Sequence, residues 1–354
     1  MRGQDLRQLY ESCGNNEETR QKVFSEKIKS LLDENKISVE DFSLRELFEA
    51  VDSTTFGLTT GTLIHKALID SYNGADIISD QLVTNIPSNR QEEIIVGFTA
   101  TESPKLVPEG LEYEESSIGD KGVGTRADKY GRIISITEEA IMFDQTGQIL
   151  NYAREIGEKA AQYKEKLIID GIVDLNTNVY RPVINGVPTA TALYSSGNGN
   201  LVTSNPLSDY TSIESARKKF ANFTDENGDP ISIRPKILLV PFAIETTARR
   251  ILNSIEIEET TGESGSRATH SPNPFRDSYK ILSSVFIDGV STTTWFLGDF
   301  KRQFGWQDVI PLQVTRRKSG NEDEFKRDVV AQFKVRFFGG VFAKDKVYVV
   351  KNTA

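Results

Sequence analysis

The chain has 354 residues, 38% of them hydrophobic and 9% aromatic, enough apolar mass for one large or two linked domains with packed cores. Its 42 Lys and Arg stand against 51 Asp and Glu, a formal charge of -9, which argues against affinity built on neutralising many phosphates with a basic face. Cys13 is the only cysteine, so no intrachain disulfide can form, and no run of about 18 uninterrupted apolar residues offers a membrane-spanning helix.

Residues 17–50 read as two amphipathic helices. Val23, Phe24, Ile28, Leu31 and Leu32 recur at helical spacing, and a capping start at Ser38-Val39-Glu40-Asp41 opens a second run with Phe42, Leu44, Leu47 and Phe48. A helix is predicted over 62–71, and Ile94-Ile95-Val96-Gly97-Phe98 begins extended structure. Residues 99–128 are polar and rich in Gly and Pro, too poor in apolar side chains to build a core of their own. Tyr130 to Ile136 returns as a strand, and Thr137-Glu138-Glu139 caps a short helical turn.

The longest helix is predicted from about Asp144 to Gly171. Ile149, Ile156 and Tyr163 lie seven apart, as do Ala153, Ala160 and Leu167, so together they form one apolar stripe. About 27 residues at 1.5 Å each make a spine of roughly 40 Å. Short strands and turns are expected through Pro206, then a helix opened by the capping box Thr211-Ser212-Ile213-Glu214. Ile237-Leu238-Leu239-Val240 reads as a buried strand and 241–252 as a helix, which together suggest an α/β layer. Residues 258–278 read as a loop. The remainder is strand-like, at 281–287, 294–297, 309–314, 329–338 and 346–351.

Catalysis needs titratable groups that converge, and the sequence offers few. His65 and His270 have no Cys, His or acidic partners at metal-ligand spacing, and Cys13 sits in an N-terminal arm that supplies neither base nor oxyanion donors. Gly119-Asp120-Lys121-Gly122-Val123-Gly124 has the glycines of a phosphate loop but lacks the closing Gly-Lys-Ser/Thr and the following helix, so it reads as a flexible hairpin tip. The pairs Glu114-Glu115, Glu138-Glu139 and Glu258-Glu259 read as solvated acids. No enzyme, cofactor or metal site is expected.

The order of elements is informative where single motifs are not. A glycine-rich loop, then Lys129-Tyr130-Gly131-Arg132-Ile133-Ile134-Ser135-Ile136-Thr137-Glu138-Glu139-Ala140 and a long helix, resembles the major capsid proteins of tailed phages, with the Hong Kong 97-type fold, most closely the major head subunit of Mu-like phages. Pro235-Lys236-Ile237-Leu238-Leu239-Val240-Pro241 and the closing segments 325–338 and 346–351 are similar to that family's axial-domain strand and final strands. The resemblance covers roughly residues 90–354.

It implies an α+β capsid fold with an N-terminal arm and helices (1–93), an extended E-loop (94–136), a peripheral domain with the spine helix (137–180 and 301–354) and an α/β axial domain (181–300). It further implies a shell protein that assembles as hexamers and pentamers into an icosahedral virion capsid around double-stranded DNA in the host bacterial cytoplasm. Scaffold, portal and cement proteins are the expected partners. Pro108, Glu109, Gly110, Asp120, Lys121 and Gly122 are the candidate E-loop contacts between subunits. Two other readings share parts of the pattern: an encapsulin-type nanocompartment shell, and a soluble α/β enzyme whose site the motifs do not reveal.

Overall fold

A computed structural model of the chain describes residues 3–13, 17–34, 46–47, 50–51, 53–98, 120–137, 139–140, 148–225, 227–260, 268–316 and 329–354. The chain forms two compact units, each assembled from separated stretches. Unit 1 takes Met1–Ile77, Lys129–Lys164 and Ile310–Phe338; unit 2 takes Ile78–Asp128, Glu165–Val309 and Gly339–Ala354.

In chain order the elements are helices α1 (Gly3–Ser12), α2 (Glu17–Asp33), α3 (Ser53–Gly74) and α4 (Ser79–Leu82), strands β1 (Thr84–Pro87), β2 (Glu92–Phe98), β3 (Asp120–Arg126) and β4 (Asp128–Thr137), and the long helix α5 (Gln148–Val173). Short strands β5 (Val183–Ile184), β6 (Val187–Pro188) and β7 (Leu201–Val202) precede α6 (Tyr210–Phe220) and β8 (Ile237–Pro241). A 3-10 turn (Phe242–Ile244) leads into α7 (Glu245–Asn253), then β9 (Glu256–Thr260), β10 (Ala268–Pro272), β11 (Lys280–Ser284), α8 (Val285–Asp288), β12 (Trp295–Gly298) and α9 (Phe300–Gln303). Strands β13 (Phe304–Arg316), β14 (Val329–Ala343) and β15 (Val349–Asn352) follow. A four-stranded sheet runs in the order β1-β13-β14-β4 and a five-stranded sheet in the order β11-β8-β12-β15-β7.

The core of unit 1 is helix packed on sheet. Leu6, Tyr10 and Cys13 from the first helical stretch meet Phe24, Ile28 and Leu32 of α2, with Leu63, Ile64, Ala67 and Leu68 of α3 and Ile134, Ile136, Phe333 and Val335 from the strands. Tyr10 and Phe24 meet edge to face at 5.4 Å. Cys13 is buried and its Sγ donates to the Leu9 carbonyl at 3.1 Å. Along β4 the alternation is plain: Ile134 and Ile136 are buried, while Ile133 before them and Ser135 between them are exposed. Thr137 Oγ1 accepts from the Ala140 N–H at 3.3 Å, the cap expected after this strand. The second expected N-terminal helix lies largely outside the described residues; α1 and most of α3 before residue 62 went unread, because their apolar residues are sparse.

Helix α5 is a long helix where one was expected, but its buried face is shifted. Ala153 is buried as expected, yet Ile149, Ile156, Ala160 and Leu167 are half-buried and Tyr163 is exposed; the buried line instead runs through Leu150, Ala153, Gly157 and Ala161, then Ile168 and Ile172. Small residues set that line. A Cβ on Gly157 would lie 2.4 Å from the Leu68 carbonyl oxygen of α3, and Ser71 Oγ donates to the Arg154 carbonyl at 2.7 Å beside it. Hydrophobic periodicity gives weight to Ile and Tyr, whereas a close helix crossing is made by residues with almost no side chain.

The helix also ends later than expected. Gly171 is inside it and serves packing: a Cβ there would meet Val341 Cγ1 at 2.3 Å. The stop is Asp174, in the left-handed conformation at φ 59, with the Leu175 N–H returning to the Asp170 carbonyl at 3.1 Å.

Unit 2 is built on the five-stranded sheet. β8 pairs parallel with β11 and antiparallel with β12, and β15 lies between β12 and β7. Its core gathers Leu238 and Val240 of β8, Trp295 and Leu297 of β12 and Val350 of β15 under Ile213, Ala216 and Phe220 of α6 and Ala248, Ile251 and Leu252 of α7. The run Ile237–Val240 therefore becomes an interior buried strand, as its apolar continuity predicts. Three expectations need correction here. Asp209, not Thr211, caps α6, accepting from the Thr211 N–H at 2.9 Å, while Glu214 pairs instead with Lys218 at 2.9 Å. The stretch 285–288 is a helical turn that stops the strand at Ser284, whose side chain accepts from the Phe286 N–H. Residues 258–278 are not a plain loop, because β9 and β10 pair as an antiparallel ribbon.

Candidate assembly surface

Of the six candidate contact residues, Pro108, Glu109 and Gly110 lie outside the described residues. Asp120, Lys121 and Gly122 open β3, which pairs antiparallel with β2 over its full length, from Glu92↔Arg126 to Phe98↔Asp120. The reading of 119–124 as a hairpin tip is thus corrected, since 120–126 is one strand of a ladder. Its glycines are there for space. A Cβ on Gly122 would lie 2.9 Å from Val183 Cγ2, and one on Gly124 would lie 2.4 Å from Pro188 Cβ.

What crosses these glycines is the β5–β6 hairpin. Its two-residue turn, Asn185-Gly186, has positive φ at both positions, 53 and 81, as a type I′ turn requires. The Gly124 N–H donates to the Arg181 carbonyl at 2.8 Å. That Asn-Gly signal between Val183-Ile184 and Val187-Pro188 could have located this hairpin from sequence; the general expectation of short strands and turns did not.

The β2–β3 ladder is firmly based. Gln307 Nε2 donates to Ser88 Oγ at 3.1 Å and to the Arg90 carbonyl at 2.9 Å, fixing the entry to β2. Lys121 Nζ reaches Asp345 Oδ2 at 3.3 Å, so this lysine is tied to the chain that leaves β14. On the ladder and the crossing hairpin, Val96, Ile94, Ile184 and Val187 are exposed.

A second cluster in unit 2 is electrostatic and internal. Lys351 Nζ donates to the Val173 carbonyl at 2.9 Å, near the end of α5, and stands 5.4 Å from the Tyr194 ring centroid. Asp174 Oδ2 accepts from the Leu193 N–H at 2.8 Å. Burial pushes the Asp174 carboxyl up, against the pull of the Leu193 hydrogen bond and the Lys351 charge, and burial pushes Lys351 down. A carboxylate held above its unfolded value favours the fold most when protonated, and that advantage is lost as pH rises through the folded value. Asp174→Asn keeps an acceptor for the Leu193 N–H and removes the half-buried charge. Its stability relative to wild type is therefore expected to increase from pH 4 to pH 7, read from urea midpoints at each pH. A difference that is flat or falls over this range contradicts the assignment.

Among the described residues no group of three or more His, Cys, Asp or Glu could hold a metal ion, and no helix is long and apolar enough to cross a membrane.

Among solved structures, that of Mycobacterium phage Bobi matches at 12% identity over 78% of this chain and 90% of that chain, with a TM-score of 0.51. The asymmetric unit of the mature capsid of bacteriophage PhiM1 matches at 9% identity over 78% and 86%, with a TM-score of 0.50. At such identity these likenesses concern the fold alone. Searching curated proteins by sequence gives no match. The model of the family described as phage capsid protein matches residues 121–352, about two-thirds of the chain. The chain belongs to the phage capsid protein family and is a shell protein.

Proposed function

We propose that this chain is the major head subunit of a tailed phage, which assembles with copies of itself into hexamers and pentamers of an icosahedral shell around double-stranded DNA, and that it catalyses no reaction. The family match over residues 121–352 carries this reading. In it, residues 94–136 serve as the E-loop, residues 181–300 as the axial domain, and α5 as the spine. Pro108, Glu109, Gly110, Asp120, Lys121 and Gly122 lie on or beside the contact with the neighbouring subunit. Assembly occurs in the host cytoplasm, with scaffold, portal and cement proteins as partners. The charge of -9 suits a container that confines DNA by geometry without gripping its phosphates.

The test separates folding from assembly. Residues 100–118 hold few large apolar side chains (Leu106, Val107, Leu111, Tyr113, Ile118), which at about 25 cal/mol per Å² can contribute little to a subunit's own core. Ordering each residue costs on the order of 1 to 2 kcal/mol, so in a shell the neighbouring subunit must offset it. Replacing 100–118 by a short Gly/Ser linker between β2 and β3 is expected to leave a cooperatively melting protein that no longer closes into shells, seen by sedimentation and negative-stain microscopy. Undiminished shells from that variant, or wild-type protein that stays monomeric with its scaffold supplied, defeat the proposal.

A further inference from the structure

Unit 2 carries a further apolar exposure at the carboxyl ends of the parallel strands β8 and β11. The register pairs Pro241 with Ser284, so the next residues, Phe242 and Val285, follow directly from the paired ends of neighbouring strands. Both are turned to solvent: Phe242 is 61% exposed and Val285 is 66% exposed. Val290, just beyond α8, is also exposed.

This knob is rigid. The Asp288 carboxylate accepts from the Phe242 N–H at 2.9 Å and the Ala243 N–H at 3.1 Å, which locks the backbone that presents the ring. Glu245 accepts from Ser283 Oγ and from Arg249 Nε, each at 2.7 Å, which ties the start of α7 to the end of β11. These partners hold the Glu245 carboxyl below its ordinary value. An exposed aromatic on a fixed backbone loses little entropy when a partner covers it, as a central interface anchor requires.

We propose that the Phe242–Val285 knob is a contact surface between copies of this chain. The proposal rests on the shell reading above. Charge decides the occupant. Across the 3-10 turn, α7 and α8 the charged residues are Glu245 and Asp288 against Arg249 and Arg250, a local balance of two and two. A polyanion such as DNA needs a surplus of cations and finds none here. Two copies that each carry -9 repel one another, and meet most readily where the charge cancels and apolar area is exposed.

The experiment uses the full chain. Phe242→Asp and Val285→Lys each place a charge on the knob; because both side chains are exposed, melting curves are expected to stay within a few degrees of wild type. Assembly, followed by sedimentation against concentration, is expected to require at least tenfold more protein. In a Cys13→Ser background, Val285→Cys is expected to react with a maleimide at least tenfold more slowly in assembled particles than in dissociated subunits. Equal labelling in both states, or wild-type assembly by the two charged variants, overturns the inference while leaving the shell reading intact. Equal labelling accompanied by protection on adding DNA assigns the surface to DNA and overturns the inference too. If both charged variants fail to fold, the side chains are part of the core and the surface does not exist. Wild-type chains that never associate defeat the shell reading itself, and this inference with it.

Discussion

Gly157→Leu is expected to leave little soluble folded protein. The α3–α5 crossing in unit 1 is set by backbone against backbone: a Cβ at position 157 would lie 2.4 Å from the Leu68 carbonyl oxygen, with Ser71 Cβ and the Tyr72 nitrogen each 3.2 Å away. Two of these three atoms are main-chain atoms of a helix and cannot swing aside. The helices must separate, which also breaks the Ser71 Oγ to Arg154 carbonyl bond and opens the layer that buries Leu63, Leu68, Leu150 and Ala153. Overpacking alone costs about 1 to 3 kcal/mol, and loss of the adjoining contacts raises the total to a large share of the roughly 5 to 15 kcal/mol that holds a domain folded. Gly157→Ala is expected to be milder yet still destabilising, although alanine is the better helix former. Soluble yield and urea midpoints of the two variants check this. A leucine variant as stable as wild type removes the close crossing from the fold.

Trp295→Ala is expected to lower the stability of unit 2 by about 4 kcal/mol. Trp295 is fully buried in β12, with Val350 and Ile213 in the same core, and its indole N–H donates to the Asn205 carbonyl at 2.9 Å. Truncation leaves a cavity and an unpaired carbonyl beneath the sheet. Asn205 also holds the Ser212 carbonyl and Asn352 Oδ1, each at 3.0 Å, so the loss reaches α6 and β15. Trp295→Phe keeps most of the ring volume and loses the hydrogen bond; about 1 to 2 kcal/mol is expected. Chemical denaturation followed by far-ultraviolet circular dichroism distinguishes the two. Equal losses from Ala and Phe place the energy in the hydrogen bond, and no loss from either means that the indole is not a core residue.

Legibility followed side-chain chemistry. Ile237–Val240 announced itself as a buried strand because four consecutive apolar residues fit only an interior position. Ile134 and Ile136 alternated as a half-buried strand should. The two glycines of β3 misled, because glycine in a polar context reads as a turn; here it makes room for Val183 and Pro188, which lie some 60 residues away in the chain. The ribbon of β9 and β10 was hidden for a related reason, since Glu256–Thr260 pairs with Ala268–Pro272 through backbone groups that carry no compositional signature. Lys121 was singled out as a candidate subunit contact by its place in a polar segment, and within the chain it pairs with Asp345. Asp345 was not singled out, because the two meet only after more than 200 residues of intervening chain have folded.

By itself the sequence determined which segments are helix or strand where apolar residues recur with a clear period, the absence of a disulfide, a charge unsuited to gripping DNA, and, through the order of its elements, the capsid resemblance. The tertiary structure decided which face of α5 is buried, why Gly122, Gly124, Gly157 and Gly171 stand where they do, and that Phe242 and Val285 follow from the paired ends of neighbouring strands. The reason is physical. Periodicity records how one element divides its side chains between core and solvent, whereas a close approach between elements is made by missing side chains and main-chain atoms, and those acquire meaning only when distant segments are brought together.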